Sequence, residues 1–217
     1  MPSPVQRADA ARNRHRLLEA AREVLGERGL DAPLDDIARV AGLGNATLYR
    51  HFPSRCALVA AVFAETLGEV VETAEDALAE PDPWVGFTRH VRGLCAMQAR
   101  DRAVADLLTA TIEAAPALES LRARAYAGAV ALIDRAQRSG ALRPDFRHED
   151  LVLILMANAG LLERTVGPAR DAWRRHLDYV LDGLRPGSGA TASPSPGEGA
   201  VLAAMHAAAD RFGVAGS

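Results

Sequence analysis

Residues 42–55 read Gly-Leu-Gly-Asn-Ala-Thr-Leu-Tyr-Arg-His-Phe-Pro-Ser-Arg, and the fold turns on what this stretch is. A Gly-x-Gly opening invites a nucleotide-phosphate loop. That loop requires a strand before it, a third glycine and a long helix after it. Here Thr47 stands at the third glycine position, and Pro53 stops the following helix after about two turns. The residues in front, Leu34, Ile37, Ala38 and Ala41, have helical spacing. The other reading is helix, tight turn, short helix. Gly42 takes the left-handed conformation that ends a helix, and Leu43 packs inward. With Leu48 and Phe52 on the buried side, Asn45, Ala46, Tyr49 and Arg50 turn outward, flanked by Thr47 and His51. Small, hydrogen-bonding and aromatic side chains on a short helix suit the major groove of DNA.

Composition agrees with that reading and closes others. The chain has 217 residues, enough for one large or two small domains. All 25 basic residues are arginine. Without a lysine there is no Walker A loop, Schiff base or pyridoxal chemistry. Residues 1–55 carry nine arginines against seven carboxylates, while the rest carries 16 basic against 21 acidic residues. A basic head on an acidic body fits a head that meets a polyanion. No apolar run reaches the roughly 18–20 residues of a membrane span. No secretion-signal core follows the polar N-terminus, so a cytoplasmic protein is expected. Cys56 and Cys95 lack metal or redox spacing. Arg147-His148-Glu149-Asp150 lacks the His-Glu-x-x-His order of a zinc site. No nucleophile–base pair or cofactor motif is present, so the sequence predicts no catalytic residue, no metal and no cofactor.

Apolar positions recur at helical spacing almost everywhere, and nothing alternates with period two. The first helix carries Leu17, Leu18, Ala21, Val24 and Leu25 and closes at Gly29. Pro33 opens the second. Ser54 caps a fourth, long helix that runs toward Pro81. Further helices are expected from Pro83, over 102–114, and from Pro116 to Gly140. Another starts at a cap on Asp145 or His148, and a last body stripe carries Trp173, Leu177 and Leu181. Gly167-Pro168 separates these two. Residues 187–197 have linker composition, and Val201 to Phe212 form a possible terminal helix with a frayed tail as the default. The fold class is therefore all-α. It divides into a flexible arm over 1–11, a helix-turn-helix domain over 12–56, a helical body over 57–185, and a linker with a possible helix over 186–217.

Ala41-Gly42 and Thr47-Leu48-Tyr49-Arg50-His51-Phe52-Pro53-Ser54-Arg55, behind Leu34-Asp35-Asp36-Ile37-Ala38, resemble the signature of the TetR family of bacterial regulators. The resemblance covers about residues 12–65, and the body follows only in pattern. It implies a ligand-responsive transcriptional regulator, most often a repressor, that binds double-stranded operator DNA as a homodimer and releases it to a small-molecule effector; the alternatives are a regulator without a small-molecule ligand and an all-helical enzyme. By matching position, Asn45, Ala46 and Tyr49 would face bases. Thr47, Arg50, His51, Arg55 and Arg14 would face phosphates, with Arg12 and Arg16 helping Arg14 as an arm. Gly44 replaces a usual capping serine, which moves the expected cap to Asn45.

For the body, the reading implies a dimer through helices 148–166 and 169–185, with Leu155, Leu162, Trp173, Leu177 and Leu181 at the interface. An effector pocket is expected among Trp84, Phe87, Val91, Met97, Leu108, Ile112, Tyr126 and Met156, with His90 or Asn158 as its polar contact. The fourth helix is expected to be the one long element joining head to body.

Overall fold

The computed structural model describes residues 4–110, 116–165, 167–187 and 193–212. All regular structure in them is helical, in ten α-helices and one 3₁₀ turn. Helix α1 spans Pro4–Arg28, α2 Leu34–Val40, α3 Asn45–His51 and α4 Arg55–Ala79. Helix α5 spans Pro83–Arg100, α6 Arg102–Thr109, α7 Pro116–Arg138 and α8 His148–Arg164. A 3₁₀ turn at Gly167–Ala169 leads to α9, Ala172–Gly183, and α10 covers Glu198–Phe212. Ile112 lies outside the described residues.

The helix ends follow their sequence signals. The Ser54 hydroxyl accepts the Ala57 N–H at 3.1 Å and caps α4. Asp82 and Asp101 cap α5 and α6 in the same way, each carboxylate accepting two backbone N–H groups. Gly42 has φ +63°, and the Arg16 guanidinium lies 2.8 Å from where a Cβ would stand. The left-handed conformation favours glycine at that turn.

Four expectations change. The segment expected as a flexible arm over 1–11 is helical from Pro4, because α1 continues upstream of the head. The cap of α8 is Arg147, not Asp145 or His148; its N–H donates to Asp150 Oδ2 at 2.8 Å. Gly44, not Asn45, caps α3, and Asn45 is the first helical residue. Residues 198–212 form a helix that packs on α8, with Val201 and Ala209 buried, rather than a frayed tail.

Head and body share one apolar core, running from Leu17, Ile37, Leu48 and Phe52 through Leu58 and Phe63 on α4 to Phe87, Leu94, Leu155, Trp173 and Leu181. A second, shorter element joins them beside the long α4. Besides α4, α6 packs against α1 and also against α5 and α8. At the end of α1 the Asp106 carboxylate accepts the Leu30 N–H at 2.9 Å. Gly29, at φ +88°, leaves room for it, since a Cβ there would stand 2.6 Å from Asp106 Oδ2. Burial lifts the Asp106 carboxyl above its ordinary range, partly offset by the Leu30 N–H and Arg102.

Candidate nucleic-acid interface

Helix α3 is anchored from one side only. Leu48 and Phe52 are buried against the head core, while Asn45, Ala46, Tyr49 and Arg50 are exposed and Thr47 and His51 are half-buried. Tyr49 is 50% exposed, unusual for a large aromatic side chain on an otherwise well-packed head. The outward set expected from the sequence is thus brought together on one face. The Asn45 side-chain amide donates to Asp35 Oδ1 at 2.8 Å, which fixes its orientation beside the turn.

The cations sort into two kinds. Arg14, exposed on α1, lies over the Phe52 ring at 5.3 Å from its centroid. It stands close enough to His51 to act on its charge, as does Arg50. Burial first, then these two guanidiniums, holds the His51 imidazole below its ordinary pKa. Its Nε2 is buried without a hydrogen-bond partner. Arg14 and Arg50 therefore present positive charge at the two edges of the α3 face.

Arg55 and Arg16 are tied to backbone carbonyls instead. Nη1 of Arg55 donates to the carbonyls of Leu30 and Ala32, at 2.8 and 2.7 Å. Nη2 of Arg16 donates to the Ala41 carbonyl at 2.6 Å. Arg12 pairs with Asp9 one turn earlier on α1. Arg55, expected at a phosphate, serves as a clasp between the start of α4 and the loop joining α1 to α2. Removing a charged donor shared by two part-buried carbonyls costs about 2 kcal/mol. Arg55→Ala is expected to lower the unfolding free energy by about that much in urea titration. It should leave the salt slope of DNA binding unchanged; a shallower slope would return Arg55 to the phosphates.

The body residues also divide. Phe87, His90, Val91, Met97 and Asn158 are buried, with Trp84, Leu108 and Met156 half-buried around them. Phe87 stacks edge-on against Phe146 at 5.6 Å and tilts toward Trp84 at 5.9 Å. All but Met156 and the polar pair, His90 and Asn158, belong to or pack on the core of the body. Tyr126 does not join them. It is 48% exposed and meets the His148 ring at 4.4 Å, on the outside of α7. Missing from the sequence reading was Gln98, buried beside Asn158. The signal for it was available: a glutamine eight residues after His90 falls on the same, otherwise apolar, face of α5.

Of the residues expected between subunits, Leu155, Trp173, Leu177 and Leu181 are at most 5% exposed within a single chain. They belong to the protomer's own core, and only Leu162 keeps part of its surface. The apolar side chains that α8 and α9 leave outside are Leu153 and Tyr179, with half-buried Ile154 and Val180 beside them. Leu153, Ile154, Val180 and Leu184 line a cleft of about 830 Å³ that is bordered by Ser193–Pro196. Among the described residues no helix is long and apolar enough to cross a membrane, and no cluster of three or more His, Cys, Asp or Glu could hold a metal.

Comparison with known proteins joins both halves to one family. Residues 17–62 match the family model described as bacterial regulatory proteins, tetR family. Residues 82–186 match the model for the C-terminal domain of SbtR-like transcriptional regulators. The TetR transcriptional regulator SCO0520 from Streptomyces coelicolor is 35% identical, over 80% of this chain and 99% of that one, with a TM-score of 0.51. The HTH-type transcriptional regulator SAR0097 of Staphylococcus aureus is 35% identical over 82 residues, 36% of this chain; the chain spans 42% of the length of that curated relative. FadR from Bacillus subtilis shares the fold at 17% identity, over 80% of this chain and 98% of that one, with a TM-score of 0.51. With both its head and its body matched, this chain belongs to the TetR family of transcriptional regulators.

Proposed function

We propose that the protein is a repressor that holds operator DNA as a homodimer in the cytoplasm and releases it when a small molecule enters the body. The observation that carries the DNA reading is α3 itself. It is a two-turn helix buried only through Leu48, with Phe52 capping its end, and its whole outer face consists of groove-compatible side chains edged by Arg14 and Arg50. Asn45, Ala46 and Tyr49 read bases in this proposal. Thr47, Arg50 and Arg14 hold phosphates, with His51 beside them. Among the described residues no cluster that could hold a metal competes for the role, and we assign no enzymatic activity.

Responsiveness to a ligand is supported by α6. It touches α5 and α8, which carry the buried polar residues of the body, and at its other side it grips the end of α1 through Asp106. A ligand held between α5 and α8 that suits one position of α6 better than another biases the head. FadR, which shares the fold, was solved in complex with stearoyl-CoA.

Gel retardation of DNA from the upstream region of the gene by the purified full chain tests the reading. Tyr49→Ala is expected to relax preference at particular base pairs by about 1–3 kcal/mol. Arg50→Ala and Arg14→Ala should instead weaken binding to all sequences alike, and lower the log–log salt slope by about 0.9 for each phosphate lost. Equal binding by wild type and Tyr49→Ala on every sequence would overturn the base-reading assignment.

A further inference from the structure

One hydrogen-bonding group in the body interior is left unanswered by the fold. Asn158, on α8, is 2% exposed. Its Nδ2 donates to Gln98 Oε1 at 2.8 Å and to the Cys95 carbonyl at 3.4 Å. Gln98, also 2% exposed, donates in turn from Nε2 to the Leu155 carbonyl at 3.2 Å. These contacts fix both amides. Turning Asn158 over would set its oxygen against two acceptors, and turning Gln98 over would do the same at Leu155. Asn158 Oδ1 is therefore a committed acceptor, and it is buried with no donor. A buried acceptor left unpaired is costly enough that native interiors rarely keep one without a use.

We infer that Asn158 Oδ1 is the recognition group for an uncharged, largely apolar effector that carries one hydrogen-bond donor, an O–H or N–H, at its end. The inference rests on the regulator reading above and names the ligand class of its body site. The surroundings set the class. Phe87, Val91, Leu94, Leu151 and Leu155 supply apolar walls in the same core. Among the described residues, the buried polar side chains are His90, Gln98 and Asn158. Burial keeps His90 neutral, with its pKa near 4, and holds the Cys95 thiol protonated, with its pKa pushed up to about 12. An ionised ligand would enter with no counter-charge to meet it. A donor of the ligand satisfies Oδ1, while Gln98 keeps its existing bonds.

The test uses the full chain with three probes: 1-octanol, its isomer 1-methoxyheptane, and octanoate at neutral pH. Titration calorimetry is expected to show octanol binding about tenfold more tightly than the isomeric ether, the ratio a single hydrogen bond supplies. Octanoate should not bind. In Gln98→Met/Asn158→Leu both partners become apolar groups of similar shape, a change that can be nearly neutral for stability. There the alcohol-to-ether ratio should fall to about one. Equal wild-type affinities for alcohol and ether, an unchanged ratio in the double variant, or binding by none of the three overturns the inference. The wild-type comparison decides alone if the double variant does not fold. Alcohol that binds with the expected preference yet leaves the operator complex intact at saturation supports this ligand class and overturns the effector reading instead.

Discussion

Arginine in place of Leu153 is expected to leave a folded protomer that no longer holds operator DNA, with an affinity loss on the order of a thousandfold, the gap between specific and non-specific binding. A two-turn helix reaches only a few base pairs, so specific affinity needs two copies held about one helical turn of DNA apart. The surface offered for pairing is the outer side of α8 and α9. Leu153 is 42% exposed and Tyr179 63% exposed, and Ile154 and Val180 are half-buried. In the free protomer an arginine at Leu153 extends into water and costs little. In a dimer the same charge is buried without a partner, which is strongly destabilising. Sedimentation at micromolar concentration should give a dimer for wild type and a monomer for Leu153→Arg, with unchanged helical circular dichroism. The contrast is Leu155→Arg. Leu155 is 5% exposed inside the protomer's own core, so that variant should fail to fold rather than dissociate. A wild-type protein that sediments as a monomer, or a Leu153→Arg variant that remains a dimer, would end the α8–α9 pairing proposal.

The same pair of residues explains where the sequence was legible and where it was not. The head was readable because each of its signals is local. Gly42 requires a turn, Pro53 requires a helix end, and the four-residue spacing of Leu48 and Phe52 orients α3 without reference to the rest of the chain. Helix α8 offers no such phase. Leu151 to Ala157 is apolar nearly all round, so periodicity cannot tell Leu153 from Leu155. Only the helices packed against it decide that Leu155 points inward. Arg55 shows a related limit. Its position near the start of α4 suits a phosphate, and nothing in the sequence reveals that two loop carbonyls, at Leu30 and Ala32, lie within its reach. The latch between Asp106 and Leu30 spans 76 positions and is invisible to any local pattern. Tyr126 shows the limit from the other side. An aromatic residue on a long amphipathic helix reads as lining, yet α7 turns it outward against His148.

Between pH 7 and pH 4.5 the protein is expected to lose about 2–3 kcal/mol of stability through His90 alone. The ring lies on α5 and is 2% exposed, with Nδ1 3.4 Å from the Thr73 hydroxyl oxygen. That hydroxyl already donates to the Val70 carbonyl at 2.8 Å, so it can only accept from the ring, which places the neutral imidazole's proton on Nδ1. Burial disfavours a second proton and lowers the pKa from 6.5 to about 4. The sign follows from proton counting. Below pH 6.5 the unfolded chain takes up a proton at this histidine and the folded chain does not. The stability it confers is therefore complete above pH 6.5 and is lost as the pH falls toward 4. His51 and His148, whose pKa values are also lowered, act in the same direction, and Asp106, whose carboxyl is raised, acts in the opposite one. A difference measurement isolates His90. Urea titrations of wild type and His90→Leu should converge as the pH falls, because leucine has no proton to gain in the unfolded chain. Two curves that stay parallel from pH 7 to pH 4.5 would mean that the ring protonates within the fold at its ordinary pKa. In that case water reaches the centre of the body, and the dry interior on which the uncharged-ligand assignment depends would fall with it.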